Sequence, residues 1–129
     1  MAGFRTPEIP REQRVLFAHW LEDALPQKHP VRALEFLLSQ DPFAATLREM
    51  ETEYALDVGR PPFHPRCLTA LYLYGVMNGV RSSRKLEAAC WNRLDVIWLM
   101  EGQHPDHDTM STFVTRHGKT LRRLFRDRS

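Results

Sequence analysis

The sequence predicts an all-α fold of six or seven helices around one core, and three observations carry that prediction. Apolar residues recur at intervals of three and four through most of the chain, which is the period of a helix face. No stretch alternates apolar and polar residues as a half-buried strand does, and no internal repeat or low-complexity segment breaks the pattern. With 129 residues, 43% hydrophobic and 26% charged, the chain suits one globular domain spanning 1–129.

Residues 1–10 hold Pro7 and Pro10 and read as an irregular arm. Three helices are predicted over 11–58. The first runs from about Arg11 to Leu25, with Leu16, Phe17, Trp20, Leu21 and Ala24 as its apolar stripe and Pro26 ending it. His29-Pro30 opens the second, with Pro30 in the first helical position and Val31, Leu34, Leu37 and Leu38 inward. Asp41-Pro42 repeats the start signal, and Phe43, Leu47, Met50 and Tyr54 follow at helical spacing until Gly59.

Residues 59–64 form a Pro-rich loop, because Pro61, Pro62 and Pro65 forbid a regular helix before His64. From Pro65 to Val80 the chain leaves almost no polar face, so this helix is expected at the centre of the core. Asn78-Gly79 signals a turn, and Ser82-Ser83 offers a cap for a helix through Leu86, Ala89 and Cys90. Leu94–Met100 reads as a short helix closed by Gly102. The last helix is placed from about Thr109 to Arg126, capped by Asp106 or Asp108. Residues 65–129 are expected to form a helix-turn-helix-like unit.

That last helix has two distinct faces. Met110, Phe113, Val114, His117, Leu121, Leu124 and Phe125 share one side, whereas Arg116, Lys119, Arg122, Arg123 and Arg126 share the other with no acid between them. A solvated helix would mix charge signs to gain pairs at helical spacing. Five unpaired cations on one face repel one another, and a phosphate backbone would relieve that repulsion. The net charge agrees with this placement. Residues 1–60 carry 7 Lys/Arg against 10 Asp/Glu, a balance of −3, whereas residues 61–129 carry 11 against 6, a balance of +5. A second polar cluster, Arg81, Ser82, Ser83, Arg84 and Lys85, stands at a helix start, where amides and cations can hold a phosphate.

Other chemistry is weaker. His104-x-x-His107 beside Asp106 and Asp108 has metal-ligand residue types, but a Pro-containing loop before a helix is where Asp serves as a cap. His64-x-x-Cys67 places Cys67 among core positions. Gly75-x-x-x-Gly79 reads as a crowded core contact and a helix end rather than a dimer seam. Glycine-rich phosphate loops, GxSxG elbows and HExxH zinc motifs are absent from the sequence, so no metal or cofactor is expected. Cys67 and Cys90 read as reduced core thiols. The start, MAGFRTPEIP, has no apolar run of the kind a signal peptide needs, and the most apolar window, Cys67 to Met77, is too short to span a bilayer, so the protein is expected to be soluble and cytoplasmic.

GRPPFHPR at Gly59–Arg66, LYLYGVMNGVRSSRKLEAAC at Leu71–Cys90, WLMEG at Trp98–Gly102 and PDHDTMSTFVTRH at Pro105–His117 resemble the N-terminal domain of bacterial insertion-sequence transposases of the DDE type. LEDALPQKHPVRAL resembles the opening of that domain, and the resemblance runs from about Phe4 to Phe125. It implies a helical domain that recognises double-stranded DNA at the element's terminal repeats and helps to assemble the transposase. In that family the nuclease chemistry belongs to a following domain whose three carboxylates bind two metal ions. Since this sequence ends at Ser129, no catalysis of its own is expected. On the residues, Thr109, Ser111, Thr112 and Thr115 are expected near base edges. Arg116, Lys119, Arg122 and Arg123 are expected on phosphates, and Arg81, Ser82, Ser83, Arg84 and Lys85 on the backbone. The alternative is an interaction module that pairs with itself or with a full-length transposase, without binding DNA, through apolar surface at Trp20, Trp91 and Trp98.

Overall fold

A computed structural model describes residues 11–55 and 63–128. The arm at 1–10 and residues 59–62 of the Pro-rich loop lie outside the described residues. Among those described, all regular structure is helical, in seven helices: α1 (Arg11–Ala24), α2 (Pro30–Leu38), α3 (Phe43–Ala55), α4 (Pro65–Met77), α5 (Ser83–Asn92), α6 (Leu94–Met100) and α7 (His107–Arg128).

Helix α4 occupies the centre, as its nearly continuous apolar sequence requires. Leu68 through Gly75 are all buried, and α2, α3, α5, α6 and α7 pack around it. Helix α1 stands further out, against α6. There the expected stripe holds only in part. Leu21 is buried, together with Leu25 just beyond the helix, but Leu16 is 71% and Trp20 53% exposed and Ala24 also faces outward. Contact with α6 covers the C-terminal end of α1 and leaves Leu16 and Trp20 exposed. The side chains of Phe17 and Tyr54 lie outside the described residues.

The helix starts have a shared device. His29 and His64 each precede the proline that begins a helix, and each turns Nδ1 onto the amide two residues later, at 3.1 Å on Val31 and 3.0 Å on Arg66. The imidazole thus caps a helix in the way a short oxygen side chain usually does. Ser82 caps α5 by accepting from the Lys85 amide at 3.3 Å, and Asp106 caps α7 by accepting from the Thr109 amide at 2.8 Å. Because Asp106 is the cap, α7 begins at His107, two residues before the expected Thr109.

The ends are equally specific. At the end of α4 the Val80 amide returns to the Gly75 carbonyl at 2.8 Å and the Gly79 amide to Val76 at 3.3 Å, with Gly79 left-handed at φ 73°. This is the Schellman arrangement, and it ends the helix three residues earlier than the sequence suggested. Gly75 also admits α5: a β-carbon there would come within 2.7 Å of a Leu86 methyl and 2.8 Å of the Val80 carbonyl oxygen. Helix α6 has the expected bounds, and Glu101 and Gly102 close it together, left-handed at φ 54° and 79°, with the Gly102 amide returning to the Ile97 carbonyl at 3.2 Å. Arg32 seals the end of α1, donating to the Glu22, Leu25 and Pro26 carbonyls at 2.8 to 3.0 Å and pairing with the Glu22 carboxylate.

Among the described residues, the core contains one carboxylate. Asp95 is 7% exposed and accepts from the Tyr74 hydroxyl, from Arg93 at 2.8 and 3.2 Å, and from the Val96 amide at 2.9 Å. Burial alone would raise its carboxyl. The hydrogen bonds from Arg93 and Tyr74, with the charge of Arg93, hold it below the usual carboxylate range. Burial, then the bond to Asp95, pushes the Tyr74 hydroxyl up to about 12.

Candidate nucleic-acid interface

Helix α7 is built as the sequence demands. Met110, Phe113 and Leu121 are buried against α4 and α5, while Val114, Leu124 and Phe125 pack at the margin of the core. At ~100° per residue, the opposite arc runs from Arg122 through Arg126 and Lys119 to Arg123 and Arg116. All five are exposed. Ser111, Thr112 and Thr115 are exposed on the same side, whereas Thr109 is half-buried in the capped first turn.

The expectation of five unpaired cations needs correction. Arg116 forms an ion pair with Glu53 of α3, so it is tied to the acidic half of the chain. Its place at the edge of the basic arc nearest α3 brings it within reach of that carboxylate. Among the described residues no acid pairs with Lys119, Arg122 or Arg123, nor with Arg81, Arg84 or Lys85.

Sequence reasoning treated the α5 start and the α7 face as two clusters, and the structure brings them together. Arg81 and Ser83 share a cleft of about 180 Å³ with Arg122. Its apolar wall is Val76 and Val80 at the end of α4, Leu86 of α5 and Val114 of α7, with Tyr72 of α4 among the lining residues. Arg84, Lys85 and Ser82 are exposed around the first turn of α5. Tyr72, read from the sequence as a core residue, is the component that sequence reasoning missed. The signal available for it was a phenol, one of two with Tyr74, in a run otherwise aliphatic.

The histidines beside this region are engaged. His107 contacts Glu87 at 2.9 Å and Asp108 at 3.5 Å, which ties the start of α7 to α5. His104 stacks on Trp91 with ring centroids 3.5 Å apart, and burial lowers its imidazole from the ordinary value. Among the described residues no three His, Cys, Asp or Glu side chains gather as metal ligands. Both cysteines are free thiols; burial raises each, Cys90 to about 12.

Residues 19–116 match the family model of a transposase domain, DUF772. The chain belongs to the DUF772 transposase-domain family. The match takes in α2 through α6 entirely, with the C-terminal end of α1 and the first half of α7. A transposase-related role follows for this transposase domain. No curated protein and no solved structure matches the chain. Among the described residues of the transposase domain, no helix is long and apolar enough to cross a membrane.

Proposed function

We propose that this transposase domain binds double-stranded DNA, recognising the terminal repeats of its element through α7, and that it has no catalytic activity of its own. The observation that carries the reading is the convergence of cations from two separate elements. Arg81 before α5 and Arg122 on α7 flank one cleft, and Lys119 and Arg123 extend the same unpaired charge along α7. Unpaired like charge held together by a fold costs Coulomb energy, and a phosphate backbone with its releasable counterions relieves it. The packing of α5 against α7 and of both against α4 supports a helix-turn-helix-like reading of the C-terminal half. Ser111, Thr112 and Thr115 then stand towards base edges, with Thr109 positioning the first turn. Lys119, Arg122 and Arg123 hold phosphates, and Arg84, Lys85 and Ser82 hold the backbone from α5. Arg116 reaches a phosphate only by leaving Glu53. A cytoplasmic location, on the nucleoid when bound, goes with this reading.

Fluorescence anisotropy on a duplex carrying the element's terminal repeat, against a scrambled duplex across a salt series, tests this. Preference for the repeat at ~150 mM salt, with a slope showing several phosphate contacts, is expected. Absence of binding at low salt would overturn it.

A second reading has its own observation. Leu16, Trp20, Phe36, Trp91 and Leu94 are all at least 46% exposed, which suits a protein partner such as a second copy or a full-length transposase. A stable dimer by light scattering, indifferent to DNA, is the outcome that would favour this interaction module.

A further inference from the structure

The cleft between α4, α5 and α7 has a feature that a packing role does not explain. Tyr72 is only 9% exposed, yet its hydroxyl makes no hydrogen bond among the described residues. No fully enclosed side-chain nitrogen or oxygen among those residues is without a partner, so this hydroxyl keeps a small opening to solvent. The cleft that Tyr72 lines supplies that opening. An unpartnered phenol in a nearly closed site costs stability relative to phenylalanine, because its water is stripped and nothing replaces it.

Three further facts converge on that oxygen. Arg122 and Arg81 both act on it electrostatically, each favouring negative charge there, although burial outweighs them and keeps it protonated. It is therefore a donor. Gly118 of α7 leaves room for it, since a β-carbon at 118 would stand 3.3 Å from the Tyr72 oxygen. Ser83, the first residue of α5, lines the same cleft and brings a hydroxyl to it. Two guanidinium groups, a phenol and a serine thus meet with no carboxylate ion-paired to either arginine among the described residues. Every polar group in the set can donate and two carry positive charge, a combination that an oxyanion complements.

We infer that this cleft is a single-phosphate site in which Arg81 and Arg122 grip the phosphate from its two rims and the Tyr72 hydroxyl donates to it from within. For the source of the phosphate the inference rests on the DNA reading above: it is one backbone phosphate of the bound duplex, with its sugar edge against Val76, Val80 and Val114. The pocket fixes the register of α7 on the duplex, because the exposed cations can slide along the backbone whereas an enclosed donor set accepts one phosphate at one depth.

Tyr72→Phe tests the site without disturbing the fold, as the lost hydroxyl has no partner among the described residues. Its thermal midpoint is expected to equal or exceed that of the native chain, and a fall would overturn the unpartnered hydroxyl. Duplex affinity is measured by anisotropy for the native chain, for Tyr72→Phe and for the doubly substituted Lys119→Gln, Arg123→Gln. Inorganic phosphate is titrated against the first two by NMR. A loss of about tenfold in duplex affinity for Tyr72→Phe, the size expected when a hydrogen bond to a charged group is removed, supports the site. Unchanged affinity in Tyr72→Phe, with a loss only in the Lys119, Arg123 variant, overturns the site while leaving the DNA reading intact. Phosphate binding that Tyr72→Phe weakens, in a protein that binds no duplex, keeps the site for a free phosphate and overturns the DNA reading. Binding of neither overturns both.

Discussion

Replacing Asp95 with asparagine isolates what the buried carboxylate contributes. Asn keeps the shape and one accepting oxygen but presents an amide where a second oxygen accepted. Oδ2 accepts from both Tyr74 and Arg93, and Oδ1 from Arg93 and the Val96 amide, so the new amide faces donors at either end. Arg93, whose side chain is 40% exposed, can turn to water, so its share of the loss is small. Tyr74 is 3% exposed and has no such outlet. The cost is therefore dominated by one buried donor, the Tyr74 hydroxyl or the Val96 amide, set against an amide N–H, and by one weakened charge-assisted bond, about 2–3 kcal/mol. For a domain of this size that corresponds to a fall of roughly 10 °C in Tm.

The pH dependence has a definite sign. A carboxyl held below its unfolded value stabilises the fold above that value, about pH 4, and its contribution disappears as pH falls through the folded value. The gap between native and Asp95→Asn proteins should stay constant from neutral pH to about pH 5 and close at more acid pH. Urea unfolding followed by circular dichroism at several pH values measures it. Tyr74→Phe should cost less, about 1 kcal/mol, since Asp95 keeps Arg93 and the Val96 amide. An Asn variant as stable as the native chain at pH 7, or a gap that fails to narrow in acid, would refute the role given to this carboxylate.

Three other outcomes are expected. Gly75→Ala should destabilise by about 1–3 kcal/mol in thermal unfolding, because the Val80 carbonyl is backbone and cannot move aside as the Leu86 methyl can. Glu101→Gly should stabilise by about 1 kcal/mol on the same measurement, since it relieves a left-handed conformation at a residue with a β-carbon. Arg122→Ala with Arg123→Ala should lower the salt slope of duplex binding by about two, and an unchanged slope would remove both residues from the interface.

Periodicity and proline made much of this architecture legible. Helices α2, α4 and α7 follow from apolar spacing, and the position of Pro30 and Pro65 at helix starts was readable because proline lacks the donor that a first turn leaves unused. The caps themselves were hidden. Histidine is rarely counted among capping residues, and only the repeated His-Pro pair hinted that Nδ1 of His29 and His64 would act so. Asp95 was visible as the one charge in LDVIWLM, yet periodicity cannot say that Tyr74, 21 positions earlier, would donate to it. The outward half of the α1 stripe shows the converse limit. Spacing tells which residues share a face, and only the partner helix decides how much of that face is covered. For the cleft, the sequence held both cationic clusters but not their meeting, which depends on how α4, α5 and α7 cross.

The central position of α4 also bears on how the chain is made. A ribosome completes α4 before α5, α6 and α7 exist, so the side of α4 that those helices cover stays uncovered while they are synthesised. Leu71, Tyr72 and Leu73 belong to the most apolar segment of the chain, and the nascent protein carries them without a finished core. Folding to the native state has to wait for the basic helix, so the element that supplies the charge for the partner also closes the core.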